Sequence, residues 1–289
     1  MTDYSKLPLH PTSEKLVEIL CTKTGNNDPM FFRILLVYYF SMIASQMRVN
    51  VVGFDSNVIP VNAYVVNLSP SGTGKGYSSS FVEKHLIGPF SDVFLHNTFN
   101  HASQVNMERI AVRRSKQNGT DIDFEQEKVE KEFELVGPFL PIFDSATVPA
   151  VKQHRHVLQL ANAGSLNFQV DEMGANLSAQ VEVLHTFLEL YDLGKIKDKL
   201  IKSTADNKRL EKIDGGTPAN LLFGTPTKLL DGARTEELFY ELLDMGYARR
   251  CFFGFSKESS KDLEMSAIDM VNNMFNQSNT DFINDVAEQ

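Results

Sequence analysis

The clearest chemical pattern in this sequence runs from residue 67 to residue 76, Asn-Leu-Ser-Pro-Ser-Gly-Thr-Gly-Lys-Gly. It follows a largely apolar run, residues 61–66, and precedes a segment that can form a helix. Glycines let backbone N–H groups converge on an anion, and a helix N-terminus adds partial positive charge. A lysine at the end of the loop neutralises the terminal phosphates. The pattern predicts a phosphate-binding loop, whose candidate binding residues are Ser69, Ser71, Gly72, Thr73, Gly74, Lys75, Gly76 and Tyr77.

This loop, residues 69–76, departs from the usual pattern at both ends. Its first position normally holds glycine, and Ser69 stands there. The position after the lysine normally holds a Ser or Thr whose hydroxyl binds Mg²⁺, and Gly76 stands there. The alternative is an ordinary glycine-rich turn with Lys75 on the surface beside it. The position between a strand and a helix favours the phosphate loop.

Two adjacent acids, Asp171 and Glu172, follow a predicted strand over residues 165–170. A mostly apolar strand that ends in two acids is typical of a Walker B element. The Asp holds Mg²⁺, usually through water, and the Glu polarises the attacking water. Strands often lead into acidic loops, so the pair indicates this chemistry only together with the phosphate loop. Asp144 also ends a predicted strand, and it either lies near the metal or caps the following helix.

Further polar residues stand beside two other predicted strands. Thr225 follows the strand over residues 219–223, where a polar side chain can touch the γ-phosphate or the attacking water. Turn formation around the next proline is the alternative. Arg249 and Arg250 precede the strand over residues 251–255. One can pair with a core carboxylate, and the other can reach a neighbouring subunit's γ-phosphate as an arginine finger.

A basic segment lies between these features. Residues 195–212 hold seven basic and three acidic residues, a local charge of 7 − 3 = +4 in a chain of net charge −9. Such a segment can track a nucleic-acid backbone, because phosphate contacts are independent of base sequence. A solvated loop is the alternative. The candidate contacts are Lys195, Lys197, Lys199, Lys202, Lys208 and Arg209.

The amino-acid composition excludes several classes of protein. The chain has 289 residues, 42% of them hydrophobic, which favours a globular protein with a sizeable core. With 37 acidic and 28 basic residues it is not a general nucleic-acid coat, so any such contact must be local. Two cysteines are too few for a disulfide scaffold or a zinc cluster and fit a reducing compartment. The most apolar stretch, residues 30–44, is shorter than the ~20 residues of a membrane span. We therefore expect a cytoplasmic protein without membrane contact.

Alternation of strands and helices predicts an α/β fold with a largely parallel sheet and the phosphate loop at the carboxyl end of a strand. We expect an N-terminal helical segment over residues 1–50 and a nucleotide domain over 51–258. Within that domain, residues 103–135 predict a helical hairpin whose arms carry opposite charges, either a solvated hairpin or a binding arm. Residues 259–289 predict a polar helical tail that can lead to further sequence. Helices are expected at 11–24, 29–47, 78–86, 103–117, 123–135, 147–162, 178–191 and 235–246, and strands at 61–68, 139–143, 165–170, 219–223 and 251–255. Asp28 is expected to cap the helix at 29–47, and Thr235 the helix that stops near Gly246.

Taken together, these segments resemble the P-loop ATPase domains of bacteriophage and mobile-element primase-helicase and replicative helicase proteins, which have a RecA-like core. The resemblance covers most of the chain, from about residue 10 to residue 256. The short motifs fall in family order, and the order carries more weight than any one of them. They are Ile59-Pro60-Val61-Asn62, Ser71-Gly72-Thr73-Gly74-Lys75, Asp144-Ser145-Ala146-Thr147, Val170-Asp171-Glu172, Leu188-Glu189-Leu190-Tyr191-Asp192, Leu222-Phe223-Gly224-Thr225-Pro226 and Gly246-Tyr247-Ala248-Arg249-Arg250.

The resemblance implies a helicase that depends on ATP and Mg²⁺ and forms a homo-oligomer, a hexameric ring, on single-stranded DNA. Some members of the family act with a primase. A phage-encoded protein would work in the host cytoplasm. It implies that Lys75 binds phosphate, that Asp171 and Glu172 serve metal and water, and that Arg249 matches the arginine of the family's Ala-Arg pair. Residues 193–216 would face the ring channel. The alternative is a nucleotide-binding scaffold or loader with little or no hydrolysis, which Gly76 favours. A metabolic kinase is a weaker interpretation, because the sequence carries no acceptor-substrate signature.

Overall fold

The computed structural model describes residues 8–54, 56–70, 72–134, 139–170, 173–196, 217–223, 232, 234–257 and 265–289. Within them the chain is mostly helical around a four-stranded parallel sheet, in agreement with the predicted α/β class.

Two helices open the described chain, α1 (Pro11–Thr24) and α2 (Pro29–Gln46). The predicted cap of α2 is confirmed, because the Asp28 carboxylate accepts hydrogen bonds from the backbone N–H groups of Met30 and Phe31 at 3.1 and 3.3 Å. Helix α2 is apolar on most sides and packs against the sheet, in one core cluster with Val65 and Leu222. The N-terminal helices are therefore built into the sheet's core.

The central sheet contains β3 (Tyr64–Leu68), β4 (Leu166–Val170), β5 (Ala219–Phe223) and β6 (Cys251–Phe255). The strands are parallel, in the order β4-β5-β3-β6. Strand β3 is buried along its whole length, because it has a strand on each side and helices over its faces. The predicted strands at residues 61–68, 165–170, 219–223 and 251–255 are all present, with slightly different ends.

Two regions of extended chain differ from the prediction. A short antiparallel hairpin, β1 (Asn50–Val52) and β2 (Val58–Pro60), precedes β3 and was not predicted. The strand predicted at residues 139–143 is wrong, since the described residues there make a single parallel bridge, from Phe143 to Phe168. Pro141 explains this, because proline has no N–H to give to a ladder.

One long helical run follows the loop. It contains α3 (Lys75–Val82), α4 (Gly88–Val93) and α5 (Asn100–Asn118), joined by π-helical turns at Glu83–Ile87 and Phe94–Phe99. The predicted start at residue 78 and stop before Gly88-Pro89 are wrong. The N–H of Gly88 donates to the Glu83 carbonyl five residues earlier, which puts Pro89 in the first turn of α4. A missing N–H is tolerated there.

The hairpin of α5 and α6 (Ile122–Glu134) was predicted with opposite charges facing each other, and Arg114 donates two 3.0 Å hydrogen bonds to Glu132 across it. In α7 (Val148–Ala161) the cap is Thr147, so the predicted cap Asp144 is wrong; Asp144 instead accepts from the Ser145 hydroxyl at 3.2 Å.

The later helices are α8 (Met173–Leu190), α9 (Arg234–Leu242), α10 (Ala267–Met274) and α11 (Gln277–Glu288). A turn at Leu243–Tyr247 follows α9, and the helical backbone breaks there at Gly246, which has a φ of 124°. Thr235, predicted to cap α9, lies inside its first turn, so that prediction is wrong. Helices α10 and α11 pack against α1, and α11 also packs against the helical run after the loop. The Ile283 side chain of α11 is fully buried in the same core cluster as α2.

Candidate nucleotide site

The phosphate loop leaves the carboxyl end of β3 at Leu68 and enters α3 at Lys75. Gly72 and Gly74 have φ angles of 82° and 86°, in the left-handed region that favours glycine. Gly74 directly precedes the helix, and its carbonyl accepts the Ser78 N–H at 2.8 Å. The sequence therefore folds into the strand, glycine-rich loop and helix N-terminus that an anion site requires.

Residues outside the loop hold it in place. The Asn26 side-chain amide donates to the Thr73 carbonyl and to the Ser256 hydroxyl, each at 3.1 Å. The Ser256 N–H donates to the Leu68 carbonyl at 2.9 Å. Asn26 and Ser256 are fully buried. Sequence reasoning missed both residues, because Gly-Asn-Asn after α1 indicates only a helix end.

Two nearby hydroxyl groups, those of Thr73 and Ser78, are candidates to replace the missing hydroxyl at residue 76. The Thr73 hydroxyl donates to the Pro70 carbonyl at 2.8 Å, and the Ser78 hydroxyl donates to the Lys75 carbonyl at 2.8 Å. Thr73 is 3% exposed and Ser78 is fully buried. At Gly76, by contrast, an added Cβ would have no heavy atom within 4 Å. A hydroxyl at residue 76 would therefore have open space, whereas Thr73 and Ser78 are buried.

The remaining loop candidates differ in their surroundings. Ser69 is 1% exposed, and its buried hydroxyl has no hydrogen-bond partner in the described part of the chain. Tyr77 points away from the loop: its hydroxyl donates to the Met274 carbonyl of α10 at 3.4 Å, and its ring stacks on Phe81. Burial raises the pKa of the Tyr77 phenol. Ser71 lies outside the described residues.

The strand that precedes the two predicted acids ends at the loop's edge of the sheet. Val170, the last residue of β4, and Val66 of β3 pair with the same residue of β5, Phe223. One intervening strand puts β4 about 10 Å from β3. Asp171 and Glu172 themselves lie outside the described residues, as does Thr225.

A partly buried carboxylate, that of Glu83, links β4 to the helical run after the loop. One oxygen of Glu83 accepts the Tyr39 hydroxyl and the Gln169 side-chain amide, both at 2.7 Å. Burial, reinforced by the Glu83 charge, raises the pKa of the Tyr39 phenol well above its ordinary value. Gln169 is the second-last residue of β4, so this contact fixes the strand that leads to Asp171. Sequence reasoning missed it, because its three residues are distant in the chain.

The two arginines have different environments. Arg250 donates to the Gly246 carbonyl at 3.2 Å, lies 3.7 Å from the Asp192 carboxylate and stacks over the Tyr191 ring at 5.4 Å. Arg249 is exposed. Both stand at the amino end of β6, whereas the loop stands at the carboxyl end of the neighbouring β3. A five-residue strand spans roughly 15 Å, so Arg249 lies at the end of the sheet opposite the loop of its own chain.

Several predicted contacts fall outside the described chain. Lys195 is described and exposed, whereas Lys197, Lys199, Lys202, Lys208 and Arg209 lie outside the described residues. Among the described residues, no three His, Cys, Asp or Glu side chains are grouped so as to hold a metal ion. No helix in the described ranges is both long and apolar enough to cross a bilayer.

The chain matches no protein-family model, and neither a curated protein nor a solved structure shows significant similarity to it.

Proposed function

We propose that this chain is the ATP-dependent motor of a phage-type DNA replication system, a ring helicase that translocates on single-stranded DNA. The observation that carries the proposal is the position of Lys75. It is the first residue of α3, directly after a glycine-rich loop at the carboxyl end of the central parallel strand β3. A loop in this position offers backbone N–H groups, a helix N-terminus and a lysine to the phosphates of ATP.

The order of the strands supports a RecA-like core. Strand β5 lies between β3, which leads into the loop, and β4, which leads into Asp171 and Glu172. A single strand between the phosphate-loop strand and the acidic strand is what we expect of RecA-like ATPases. Both strands end at the same edge of the sheet, so the acids would meet the phosphates that the loop binds.

In this proposal each candidate residue has one task. Lys75 neutralises the terminal phosphates of ATP, and Asp171 holds Mg²⁺ through water. Glu172 polarises the attacking water, and Thr225 contacts the γ-phosphate. The hydrogen bond from Gln169 to Glu83 fixes β4, the strand that leads to Asp171 and Glu172, to the helical run after the loop.

The proposed oligomer follows from the arginines. Arg249 is exposed and lies at the opposite end of the sheet from its own loop, which supports a role at the nucleotide of a neighbouring subunit. A trans-acting arginine stabilises the charge that develops on the transferred phosphoryl group. A hexameric ring supplies such a neighbour at every site, and residues 195–212 would contact the DNA backbone in its channel. A primase on the same or another chain would complete the replication complex, in the cytoplasm of the host.

ATP turnover with and without single-stranded DNA tests the proposal. We expect Lys75→Ala and Glu172→Gln to abolish DNA-stimulated hydrolysis. The matched controls are Lys84→Ala and Glu182→Gln, which change exposed side chains on the helical run and on α8. Unchanged turnover in both test variants would overturn the motor.

A second candidate is a nucleotide-binding scaffold or loader that hydrolyses ATP weakly or not at all. The hydroxyl pattern favours it, because Gly76 has no side-chain oxygen to offer Mg²⁺ and the nearby Thr73 and Ser78 are buried. Nucleotide titration with and without Mg²⁺ separates the two candidates. Metal-independent binding without phosphate release supports the scaffold, and Mg²⁺-dependent binding with release supports the motor.

A further inference from the structure

The β1–β2 hairpin carries an exposed apolar surface that the proposed function does not use. Phe54 at its tip is fully exposed, and Val52 is 69% exposed. At roughly 150 Å² for a fully exposed apolar side chain, the hairpin exposes on the order of 600 Å². This total is at the upper end for a monomer. It is divided between the two faces of the hairpin, because the pairs Val51–Ile59 and Val52–Val58 are successive in the ladder. The exposed apolar residues are Val49, Val51, Val52, Phe54, Val58 and Ile59.

The hairpin's charge narrows the class of partner. Its neighbouring cation, Arg48, turns inward and donates to the carbonyls of Leu158 and Ala163 at 2.9 and 3.3 Å. The described hairpin residues thus present no cation to a phosphate backbone, which a nucleic-acid partner requires. An isolated two-stranded hairpin is also only marginally stable in water. These features favour a protein partner that supplies both apolar contacts and strand pairing.

The same chain contains a surface that fits this description. Strand β6 pairs with β3 on one side, and no described strand pairs with its other edge. Phe252, Phe253 and Phe255 are each about half exposed on it, at 48%, 49% and 53%. Charged residues, proline or bulges usually protect an edge strand from pairing with another chain. The sequence of β6, Cys-Phe-Phe-Gly-Phe, contains no charged residue and no proline. Such an edge is a ready template for another strand.

We propose that the β1–β2 hairpin of one copy docks on the open edge of β6 in a second copy. A strand fits this edge better than a helix does, because only a strand also pairs with its backbone N–H and C=O groups. The two surfaces differ, so the contact is head-to-tail, and repeated contacts close into a ring or extend as a filament. Arg249 lies two residues before β6, so the contact also brings the second copy close to this exposed arginine. The proposal deepens the oligomeric part of the proposed function by naming its surface.

Sedimentation velocity and native mass of two variants and their mixture test the contact. Phe54→Asp removes the hairpin surface, and Phe253→Asp removes the β6 surface. We expect the wild type to form oligomers. Each variant should need a protein concentration at least roughly tenfold higher to form them, as expected from the loss of a buried aromatic anchor. Mixing the variants should give a 1:1 dimer, because one intact hairpin and one intact β6 edge remain. The matched control is Phe275→Asp, a change to an aromatic residue that directly follows α10 and is 80% exposed, and it should keep the wild-type mass.

A second arm covers the case in which Phe253→Asp does not fold, since that side chain is half buried. The protein with Val52→Cys and Phe253→Cys, in a background of Cys21→Ser and Cys251→Ser, should oxidise to a ladder of cross-linked copies. Either single-cysteine protein should remain uncross-linked. Cross-linking of a single-cysteine protein, or a Phe54→Asp variant that keeps the wild-type mass, would overturn the head-to-tail contact.

ATP binding measured on the same samples separates this proposal from the proposed function. A wild-type protein that binds ATP but stays monomeric overturns the contact and leaves nucleotide binding intact. An oligomer that depends on the hairpin and does not bind ATP supports the contact and overturns the motor.

Discussion

A Cβ atom placed on Gly74 would stand 2.5 Å from the Cβ of Thr24, the last residue of α1. The backbone of the phosphate loop thus lies directly against the end of the first helix. Thr24 is held there by its own hydroxyl, which donates to the Leu20 carbonyl at 2.7 Å. The N-terminal helices are therefore part of the wall that shapes the candidate nucleotide site.

Replacing Gly74 with alanine should distort the loop. The position has a φ of 86°, which costs a non-glycine residue about 1–2 kcal/mol, and the contact with Thr24 adds to that cost. We expect Gly74→Ala to lower the free energy of unfolding by about 2–3 kcal/mol and to weaken nucleotide binding. Urea unfolding and nucleotide titration measure the two effects. Gly76→Ala is the matched control, and it should be neutral or slightly stabilising, because Gly76 is helical and its Cβ meets open space.

Asn26 should matter for stability although it lies outside every recognisable motif. Asn26→Ala leaves the buried Thr73 carbonyl and Ser256 hydroxyl without their shared donor. The cost of such buried groups is about 1–3 kcal/mol, and we expect the melting temperature to fall accordingly. Asn50→Ala is the control, because Asn50 is exposed and bonds only its neighbour's backbone. Equal melting temperatures for the two variants would contradict the bridging role of Asn26.

The α5–α6 hairpin should lose stability in acid through Glu132. Burial by itself raises the pKa of Glu132, but hydrogen bonds from His156 and Arg114 outweigh it and lower the pKa to about 2 from an ordinary 4.5. A lowered folded-state pKa means that the stabilisation is complete above pH 4.5 and is lost as the pH falls towards 2. The side chain is 40% exposed, so solvent screening limits the effect to about 1 kcal/mol.

Urea unfolding at pH 7 and pH 3 measures this effect. Glu132→Gln should unfold with a smaller difference between the two pH values than the wild type does. Glu127→Gln removes a carboxylate from an exposed pair with Lys131 and should keep the wild-type difference. If the free energy of unfolding of Glu132→Gln changed between the two pH values as much as that of the wild type, Glu132 would not be the group that titrates.

We expect Arg249 to act in catalysis and Arg250 to stabilise the fold. Arg249→Ala should leave folding and nucleotide affinity unchanged and reduce turnover at least roughly a hundredfold, because an arginine finger acts only on the transition state. Arg250→Ala should instead lower stability by about 1–2 kcal/mol, because it loses the Gly246 carbonyl and the Tyr191 ring. Mixing Arg249→Ala with Lys75→Ala protein should restore part of the turnover, since some interfaces regain both residues. Full turnover in Arg249→Ala alone would exclude the finger.

Local patterns in the sequence predict much of this fold. The Asp28 cap, the apolar helix α2 and four strands depend on neighbouring residues, and the structure has them close to their predicted positions. The strand, glycine-rich loop and helix at residues 64–82 were predictable for the same reason, since they are contiguous. Such features depend on residues that are close together in the sequence.

Other features depend on contacts between distant residues and could not be predicted. Asn26 meets Thr73 and Ser256 only because three segments converge behind the loop. Gly88-Pro89 looks like a helix end, but a π-helical turn places the proline where a helix tolerates it. The β1–β2 hairpin is short, and its strand pairing is not marked by an Asn-Gly or Asp-Gly turn.

Restoring a hydroxyl at residue 76 should reveal which candidate function is correct. Serine fits this position, because an added Cβ has no heavy atom within 4 Å and the residue is helical. In a motor, the Gly76→Ser hydroxyl adds a ligand to Mg²⁺, and we expect the Mg²⁺-dependent gain in ATP affinity to rise roughly tenfold. Turnover should not fall. Gly76→Ala is the matched control, since it changes the backbone and volume in the same way without adding an oxygen. An affinity that remains equal with and without Mg²⁺ in Gly76→Ser would mean that no metal stands beside Lys75, and the scaffold would then be the correct function.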